Sequence, residues 1–170
     1  MPTPIIRAAT DRDLAPITEI YNHYVRETPI TFDLEPLAPE ARHDWFAQFA
    51  EAGPHRLLVA DVEGAVTGYA YSTRVRPRAA YDSSVEVTIY VQSDAKGHGI
   101  GRALYTSLFE ALTAAAIHRA YALITLPNEA SVRIHEAFGF VLMGTMHEVG
   151  RKFDQYWDVA WYEKSFGDGS

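Results

Sequence analysis

The spacing of apolar and polar residues changes several times along the chain, and each change marks the boundary of a short element. Residues 5–9 have the pattern of a short opening strand. Thr10 begins "TDRD", a cap residue followed three positions later by an acid, which is typical of a helix start. The helical spacing then continues through Leu14, Ile17, Ile20, Tyr21 and Tyr24. A second helix is predicted from about Pro39 to Glu51, ended by Gly53-Pro54.

The rest of the chain alternates strands with helices. Residues 56–75 contain two strands joined near Glu63-Gly64, and "SVEVTIYV" is a third strand. A helix then extends to about Ile117, and "AYALITL" forms a short buried strand. The helix "NEASVRIHEAF" ends at Gly139, and two strands follow it. The order β-α-α-β-β-β-α-β-α-β-β predicts an α/β domain with a mixed sheet, antiparallel first and with a crossover helix later.

The composition is that of one folded domain, since 48% of the 170 residues are hydrophobic. We expect this domain to span residues 1–166 and residues 167–170 to form a disordered tail. The absence of cysteine excludes disulfides and Cys-ligated metal sites. The chain has no long apolar core of the kind that signal peptides contain. No apolar run approaches the length of roughly 18 residues that a membrane span needs. A soluble, cytoplasmic protein is therefore predicted.

The net charge of −7 argues against binding to nucleic acid, because phosphate neutralisation needs clustered Lys and Arg. Two small basic groups are nevertheless present, and their size suits a small anion. The first comprises Arg74, Arg76 and Arg78, and the second comprises Lys96, His98 and Arg102.

The segment "AKGHGIGR" places glycines between a predicted strand and a predicted helix. This arrangement presents free backbone N–H groups to an anion, and the helix dipole adds positive charge there. A phosphate or pyrophosphate ligand is therefore predicted, although such a segment can also serve only to turn the chain. A Walker A loop is excluded because Arg102-Ala103 follows Gly101. A dinucleotide fingerprint is excluded because Leu104 occupies the position of its third glycine.

Glu86 lies in the middle of the apolar strand "SVEVTIYV" and points to the opposite side from Val85 and Val87. A buried carboxylate is costly unless it is used or paired, and burial raises its pKa. Glu86 is therefore either a general base or the partner of Arg76 or Arg78 in a structural ion pair.

Two motifs carry a resemblance to a known family. The run Lys96-Gly97-His98-Gly99-Ile100-Gly101 resembles the pyrophosphate arm of the GNAT N-acetyltransferases, which usually have Gln or Arg where this chain has Lys96. That lysine keeps the charge but lacks the planar fork of arginine. The segment "NEASVRIHEAFGF" resembles the family's later helix. The resemblance narrows to the phosphinothricin and methionine sulfoximine N-acetyltransferases, and it covers nearly the whole chain. The segments that carry it are "YNHYVRETPITFDLEP", "RPRAAYD", "VEVTIYV", "LPNEASVRIHEAFGF" and "GRKFDQYWDVAWYEKSF".

The resemblance implies the GNAT fold, a twisted mixed sheet flanked by helices, with acetyl-CoA as cosubstrate and no metal. It implies that the backbone of Ile89 to Val91 pairs with the pantetheine arm like an added strand, and that one N–H there polarises the thioester. It also implies a homodimer. The cofactor-binding residues implied are Ile89, Tyr90, Val91, Lys96, Gly97, His98, Gly99, Ile100, Gly101, Arg102, Asn128 and Ser131.

The same resemblance suggests two catalytic residues for a direct transfer. Glu86 would deprotonate the substrate ammonium, directly or through water. His135 occupies a position that is commonly Tyr in the superfamily, and it would protonate the departing thiolate or orient the thiol. A lone histidine on an apolar helix is also often only structural. Asn128 would cap its helix and bind the pantetheine arm.

A substrate with a carboxylate would need a bidentate arginine. The substrate-binding candidates are Arg74, Arg76, Arg78, Tyr81, Phe32 and Thr31, and the alternative for the arginines is simple surface charge. Tyr156 and Trp157 would line the pocket or a subunit interface. The predicted activity is N-acetylation of an amino-acid-like substrate such as phosphinothricin, methionine sulfoximine or methionine sulfone. The alternatives are another small amine, a protein N-terminus, or a sensor that binds acyl-CoA without catalysis.

Overall fold

The computed structural model describes residues 2–167, so residues 168–170 of the predicted tail lie outside the described part. Within that part the chain forms seven strands and four α-helices. The strands are β1 (Ile5–Ala8), β2 (Leu57–Val62), β3 (Ala65–Arg74), β4 (Ser84–Val91), β5 (Arg119–Leu126), β6 (Val141–Lys152) and β7 (Gln155–Ser165). The helices are α1 (Leu14–Glu27), α2 (His43–Phe46), α3 (Ile100–Ala114) and α4 (Glu129–Ala137).

All seven strands belong to one sheet with the order β1-β2-β3-β4-β5-β7-β6. Neighbours are antiparallel throughout, except that β4 and β5 are parallel and are joined by the crossover helix α3. The predicted element order and the mixed sheet are therefore confirmed. No helix within residues 2–167 has both the length and the apolar character that a bilayer crossing requires.

The parallel strands β4 and β5 separate along their length. They pair only from Ser84↔Arg119 to Glu86↔Tyr121, whereas β4 remains paired with β3 as far as Val91. Beyond Glu86, β5 continues beside β7 instead. The side of β4 that faces β5 therefore presents backbone groups without a neighbouring strand, in the interior of the sheet.

The sheet buries a separate apolar cluster on each face. One cluster packs α3 against the strands and includes Leu104, Leu108, Val85 and Val87. The other packs α1 against the strands and includes Tyr90. The alternation predicted for β4 is thus confirmed, because its even- and odd-numbered side chains enter different clusters.

Two predicted helices are longer than the helices observed. The second begins as a 3₁₀ turn at Pro39–Arg42 and ends as α2 at Phe46, because the chain turns back and the Ala50 N–H bonds to the His55 carbonyl. Helix α3 ends at Ala114 rather than near Ile117. There the Ile117 N–H bonds to the Leu112 carbonyl across the left-handed Ala116, which closes the helix as a Schellman motif does.

Candidate active site

Three cavities meet where β4 and β5 separate. The first, which we call the cofactor groove, has a volume of about 470 Å³ and lies between α3 and α4. The second, the junction, is a small space of about 50 Å³ beside Thr88, Ile89 and Tyr90. The third, the substrate cavity, measures about 610 Å³ and contains Glu86. Ile30 lines all three, Asn128 lines both the groove and the junction, and Thr88 lines both the junction and the substrate cavity, so the three cavities are adjacent.

The glycine segment forms one end of the cofactor groove. Helix α3 starts immediately after Gly99, whose φ of +78° is the left-handed conformation that favours glycine. The first bond of this helix runs from the Ala103 N–H to the Gly99 carbonyl, at 3.0 Å. The N–H groups of Ile100, Gly101 and Arg102 therefore have no acceptor within the helix and are available to an anion.

Most of the predicted cofactor residues line this groove. Those that do are Ile89, Val91, Lys96, Gly97, Gly99, Ile100, Gly101, Arg102, Asn128 and Ser131. Tyr90 does not, because its ring is buried in the cluster beneath α1, although it lines the junction. His98 is exposed and lies outside the groove lining.

The narrow contact between α3 and α4 explains one glycine of the motif. A Cβ atom on Gly101 would lie 3.0 Å from Cδ1 of Ile134 in α4, which is tighter than ordinary packing. Asn128 begins α4 by accepting a hydrogen bond from the Ser131 N–H at 3.2 Å, as its predicted role as helix cap requires. Asn128 lines both the groove and the junction.

His135 is only 3% exposed and lines the junction. Its Nδ1 lies 2.7 Å from the Ser131 carbonyl, which can only accept, so Nδ1 carries the proton. Its Nε2 lies 2.8 Å from the hydroxyl of Tyr105, which donates to it in the neutral imidazole. Burial lowers the pKa of His135, although the bond to Ser131 opposes this effect, and the neutral form is favoured.

Glu86 is half-buried and lines the substrate cavity together with Thr31 and Phe32. Burial raises the pKa of this carboxyl, and the charge of Arg76 only partly opposes the effect. Between residues 2 and 167, no ion pair joins Glu86 to Arg76 or Arg78. The structure therefore leaves the carboxyl free to accept a proton from a ligand in the cavity.

The other four substrate candidates lie outside the lining of the substrate cavity. Arg74, Arg76, Arg78 and Tyr81 are all exposed. Arg74 pairs with Asp82 at 3.5 Å, and Arg76 donates to the carbonyl of its own neighbour Val75 at 2.9 Å. Tyr156 and Trp157 line a separate surface groove beside α4 and not this cavity.

Several polar residues of the substrate cavity are not predicted from the sequence, and they include Tyr21, Asp33 and Arg42. The Tyr21 hydroxyl donates to Asp33 at 2.6 Å and accepts from Thr31 at 2.7 Å. Tyr105 at the junction is likewise not predicted, because its spacing in α3 is that of a core residue. No local pattern distinguishes these four side chains from surface or core positions. In the described part of the chain, no three His, Asp or Glu residues are grouped to hold a metal ion.

Comparison with known proteins agrees with this arrangement. A family model described as an acetyltransferase (GNAT) domain matches residues 6–161. A phosphinothricin N-acetyltransferase of Streptomyces coelicolor is 56% identical over 94% of each chain. An L-methionine sulfoximine/L-methionine sulfone acetyltransferase of Pseudomonas aeruginosa is 34% identical over 93% of this chain and 92% of its own.

A solved structure gives the same result for the fold. The crystal structure of a GNAT superfamily phosphinothricin acetyltransferase from Sinorhizobium meliloti in complex with acetyl-CoA is 34% identical to this chain. It superimposes with a TM-score of 0.92, over 99% of this chain and 91% of that one. Since the family model and the relatives span nearly the whole sequence, the protein belongs to the GNAT family of acetyltransferases.

Proposed function

We propose that this protein transfers the acetyl group of acetyl-CoA directly to the amino group of a small amino-acid-like substrate. The substrate is of the phosphinothricin, methionine sulfoximine or methionine sulfone type, as the names of the similar enzymes suggest. The observation that carries the proposal is the junction between β4 and β5. It connects a groove with an anion-binding end to a cavity that contains a carboxyl group of raised pKa.

Acetyl-CoA would lie along the cofactor groove. Its pyrophosphate would accept hydrogen bonds from the free N–H groups at the start of α3, with Lys96 and Arg102 adding positive charge. His98 would contribute through its backbone. The pantetheine arm would pair with the unpartnered edge of β4 between Ile89 and Val91, like an added strand. The thioester would then reach the junction.

In the proposed mechanism, Glu86 accepts a proton from the substrate ammonium, directly or through one water. The neutral amine attacks the thioester carbon, and a backbone N–H of β4 stabilises the oxyanion that forms. The C–S bond then breaks, so the nitrogen keeps the acetyl group and CoA leaves as a thiolate. The thiolate takes up the second proton, which the acetylated nitrogen loses. His135 accepts a hydrogen bond from the Tyr105 hydroxyl at the junction, and we assign to His135 the role of positioning the leaving thiol.

We also propose that the protein is a cytoplasmic homodimer. Strand β6 forms the edge of the sheet, and its consecutive residues Val141, Leu142 and Met143 are 53–59% exposed. Apolar side chains on an unpaired edge are typical of an interface. The exposed Tyr156 on β7 pairs with Arg151 at the other end of β6 and would form a second part of the interface. Light scattering should give twice the chain mass of 19.0 kDa, and the mass of one chain would contradict the dimer.

The activity is tested by CoA release from acetyl-CoA with methionine sulfoximine, methionine sulfone, phosphinothricin and several unrelated amines, against a control without amine. We expect turnover with the first three compounds and little with the others. Turnover with unrelated amines alone would contradict the substrate class. Tight binding of acetyl-CoA without turnover on any amine would instead identify a sensor.

A further inference from the structure

Tyr24 of α1 lines the cofactor groove, although it is not among the cofactor residues predicted from the sequence. Only 5% of its surface is exposed, and its ring packs against that of Tyr90 with 5.0 Å between the ring centres. Its hydroxyl donates a hydrogen bond to the Val91 carbonyl. The ring therefore has a fixed position at the wall of the groove.

The ring of Tyr24 lies beneath the ammonium group of Lys96. The Nζ atom of Lys96 is 5.0 Å from the ring centre, within the roughly 6 Å at which a cation is attracted to the face of an aromatic ring. Lys96 lines the same groove and is exposed, and among the residues that the structure describes no ion pair involves it. The ring attracts the ammonium without neutralising it, so the charge remains available to an anion.

This contact lies at the anion-binding end of the groove. Lys96 directly precedes the glycine segment, and α3 starts after Gly99 with its free N–H groups. A lysine is a flexible point charge, so fixing it against an anion costs side-chain entropy. A ring that already attracts the ammonium reduces this cost, because fewer rotamers remain to be lost on binding.

We propose that Tyr24 is a positioning residue for the cosubstrate and holds the Lys96 ammonium at the pyrophosphate of acetyl-CoA. The inference rests on the placement of acetyl-CoA proposed above. An arginine would orient itself on the pyrophosphate through its planar fork, whereas a lysine has no such preference of its own. Tyr24 supplies the orientation from α1, which is far in sequence from the glycine segment.

The hydroxyl of Tyr24 has a different role from the ring. It bonds to the carbonyl of Val91, the last residue of β4, in the part of the strand that β5 does not pair with. The two roles can be separated by substitution. Tyr24→Phe removes the hydroxyl and keeps the ring, whereas Tyr24→Leu removes both.

The test measures the preference for acetyl-CoA over S-acetylpantetheine, which has the same thioester and pantetheine arm but no phosphate. This donor preference is the ratio of the two kcat/KM values at saturating methionine sulfone. We expect Tyr24→Leu to lower it roughly 3- to 10-fold, the loss expected for one cation–π contact. Tyr24→Phe should stay within about 2-fold of the wild type. A disturbance of the thioester end of the groove affects both donors and cancels in the ratio.

Lys96→Met provides the readout that a merely structural role of the ring would not change. This variant should itself lower the donor preference, and adding Tyr24→Leu to it should lower the preference no further, because the ring then has no ammonium to hold. Arg26→Met is the control for a general loss of positive charge, since Arg26 pairs with Glu19 at 2.7 Å on α1. It should keep the wild-type preference. The thermal midpoint of each variant reports whether it is folded.

Equal losses from Tyr24→Leu with and without Lys96 would overturn the inference, because the ring would then act independently of the ammonium. An unchanged preference in Tyr24→Leu or in the exposed Lys96→Met would overturn it too. These outcomes leave the proposed function intact, because the wild type still acetylates methionine sulfone from acetyl-CoA. A wild type that uses both donors equally well would contradict the proposed pyrophosphate site and this inference together.

Discussion

The ring of Phe32 packs against the backbone of Gly150, in the space that a Cβ atom at that position would occupy. The two residues are far apart in sequence, yet their contact forms part of one wall of the substrate cavity, which Phe32 lines. A second contact holds the same segment, because Lys152 Nζ donates to the Thr31 carbonyl at 2.8 Å. Strand β6 therefore determines where the predicted substrate residues Thr31 and Phe32 lie.

Gly150→Ala should displace the Phe32 ring and impair substrate binding. We expect the KM for the amine to rise roughly 10-fold while the KM for acetyl-CoA stays unchanged, because the cofactor groove is on the other side of the junction. Gly144→Ala is the control in the same strand, since a Cβ there meets no atom within 4 Å. Equal kinetics for both variants would mean that the position of Phe32 does not matter for substrate binding.

Glu86→Gln should reduce turnover by roughly 10² or more and leave the affinity for CoA nearly unchanged. The variant keeps the size of the side chain but cannot accept the proton. Steady-state kinetics and calorimetric titration with CoA measure the two effects separately. Glu110→Gln, at an exposed position of α3, is the matched control. A fully active Glu86→Gln would exclude Glu86 from the mechanism.

The raised pKa of Glu86 predicts that the activity depends on pH. A general base must be ionised, and burial raises the pKa of Glu86 above the ordinary glutamate range. The kcat/KM of the wild type should therefore fall as the pH decreases through this raised pKa. The residual kcat/KM of Glu86→Gln should not show this acidic decrease. The pH profiles of both proteins at saturating acetyl-CoA provide the measurement. An identical acidic decrease in the variant would assign the titration to another group.

Gly99→Val should raise the KM for acetyl-CoA. A branched residue is strained at a φ of +78°, and its side chain would extend into open space at the groove, where the pyrophosphate is proposed to bind. Gly64→Val is the control, because Gly64 has a similar φ of +89° and equally open surroundings but lies in the β2–β3 hairpin. Unchanged kinetics in Gly99→Val would contradict the anion-binding role of the glycine segment.

His135 should make the stability of the protein depend on pH. Burial lowers its pKa in the folded state, so the neutral side chain stabilises the fold fully above the unfolded-state value of 6.5. This contribution is lost as the pH falls from 6.5 through the lower folded-state pKa. In urea unfolding from about pH 7.5 to about pH 5, the free-energy difference between the wild type and His135→Gln should narrow. A constant difference would show that the pKa of His135 is the same in both states.

The sequence by itself determined those features that depend on neighbouring residues. The alternation of β4 placed Glu86 on the face opposite Val85 and Val87, because side chains in a strand alternate. The glycine segment was recognisable because an anion site at a helix start needs only a few consecutive backbone N–H groups. Asn128 was predictable as a cap for the same reason, since its partner Ser131 is three residues away.

The tertiary structure decided which side chains share the substrate cavity. Arg42 and Arg76 look equally charged in the sequence, yet packing buries the first between Trp45 and Tyr21 and leaves the second in water. The contact of Phe32 with Gly150 joins segments that no local spacing connects. Burial of a polar group is determined by every element packed around it, and those elements come from distant parts of the chain. The polar lining of the substrate cavity therefore follows from the fold, whereas the glycine segment before α3 was recognisable in the sequence.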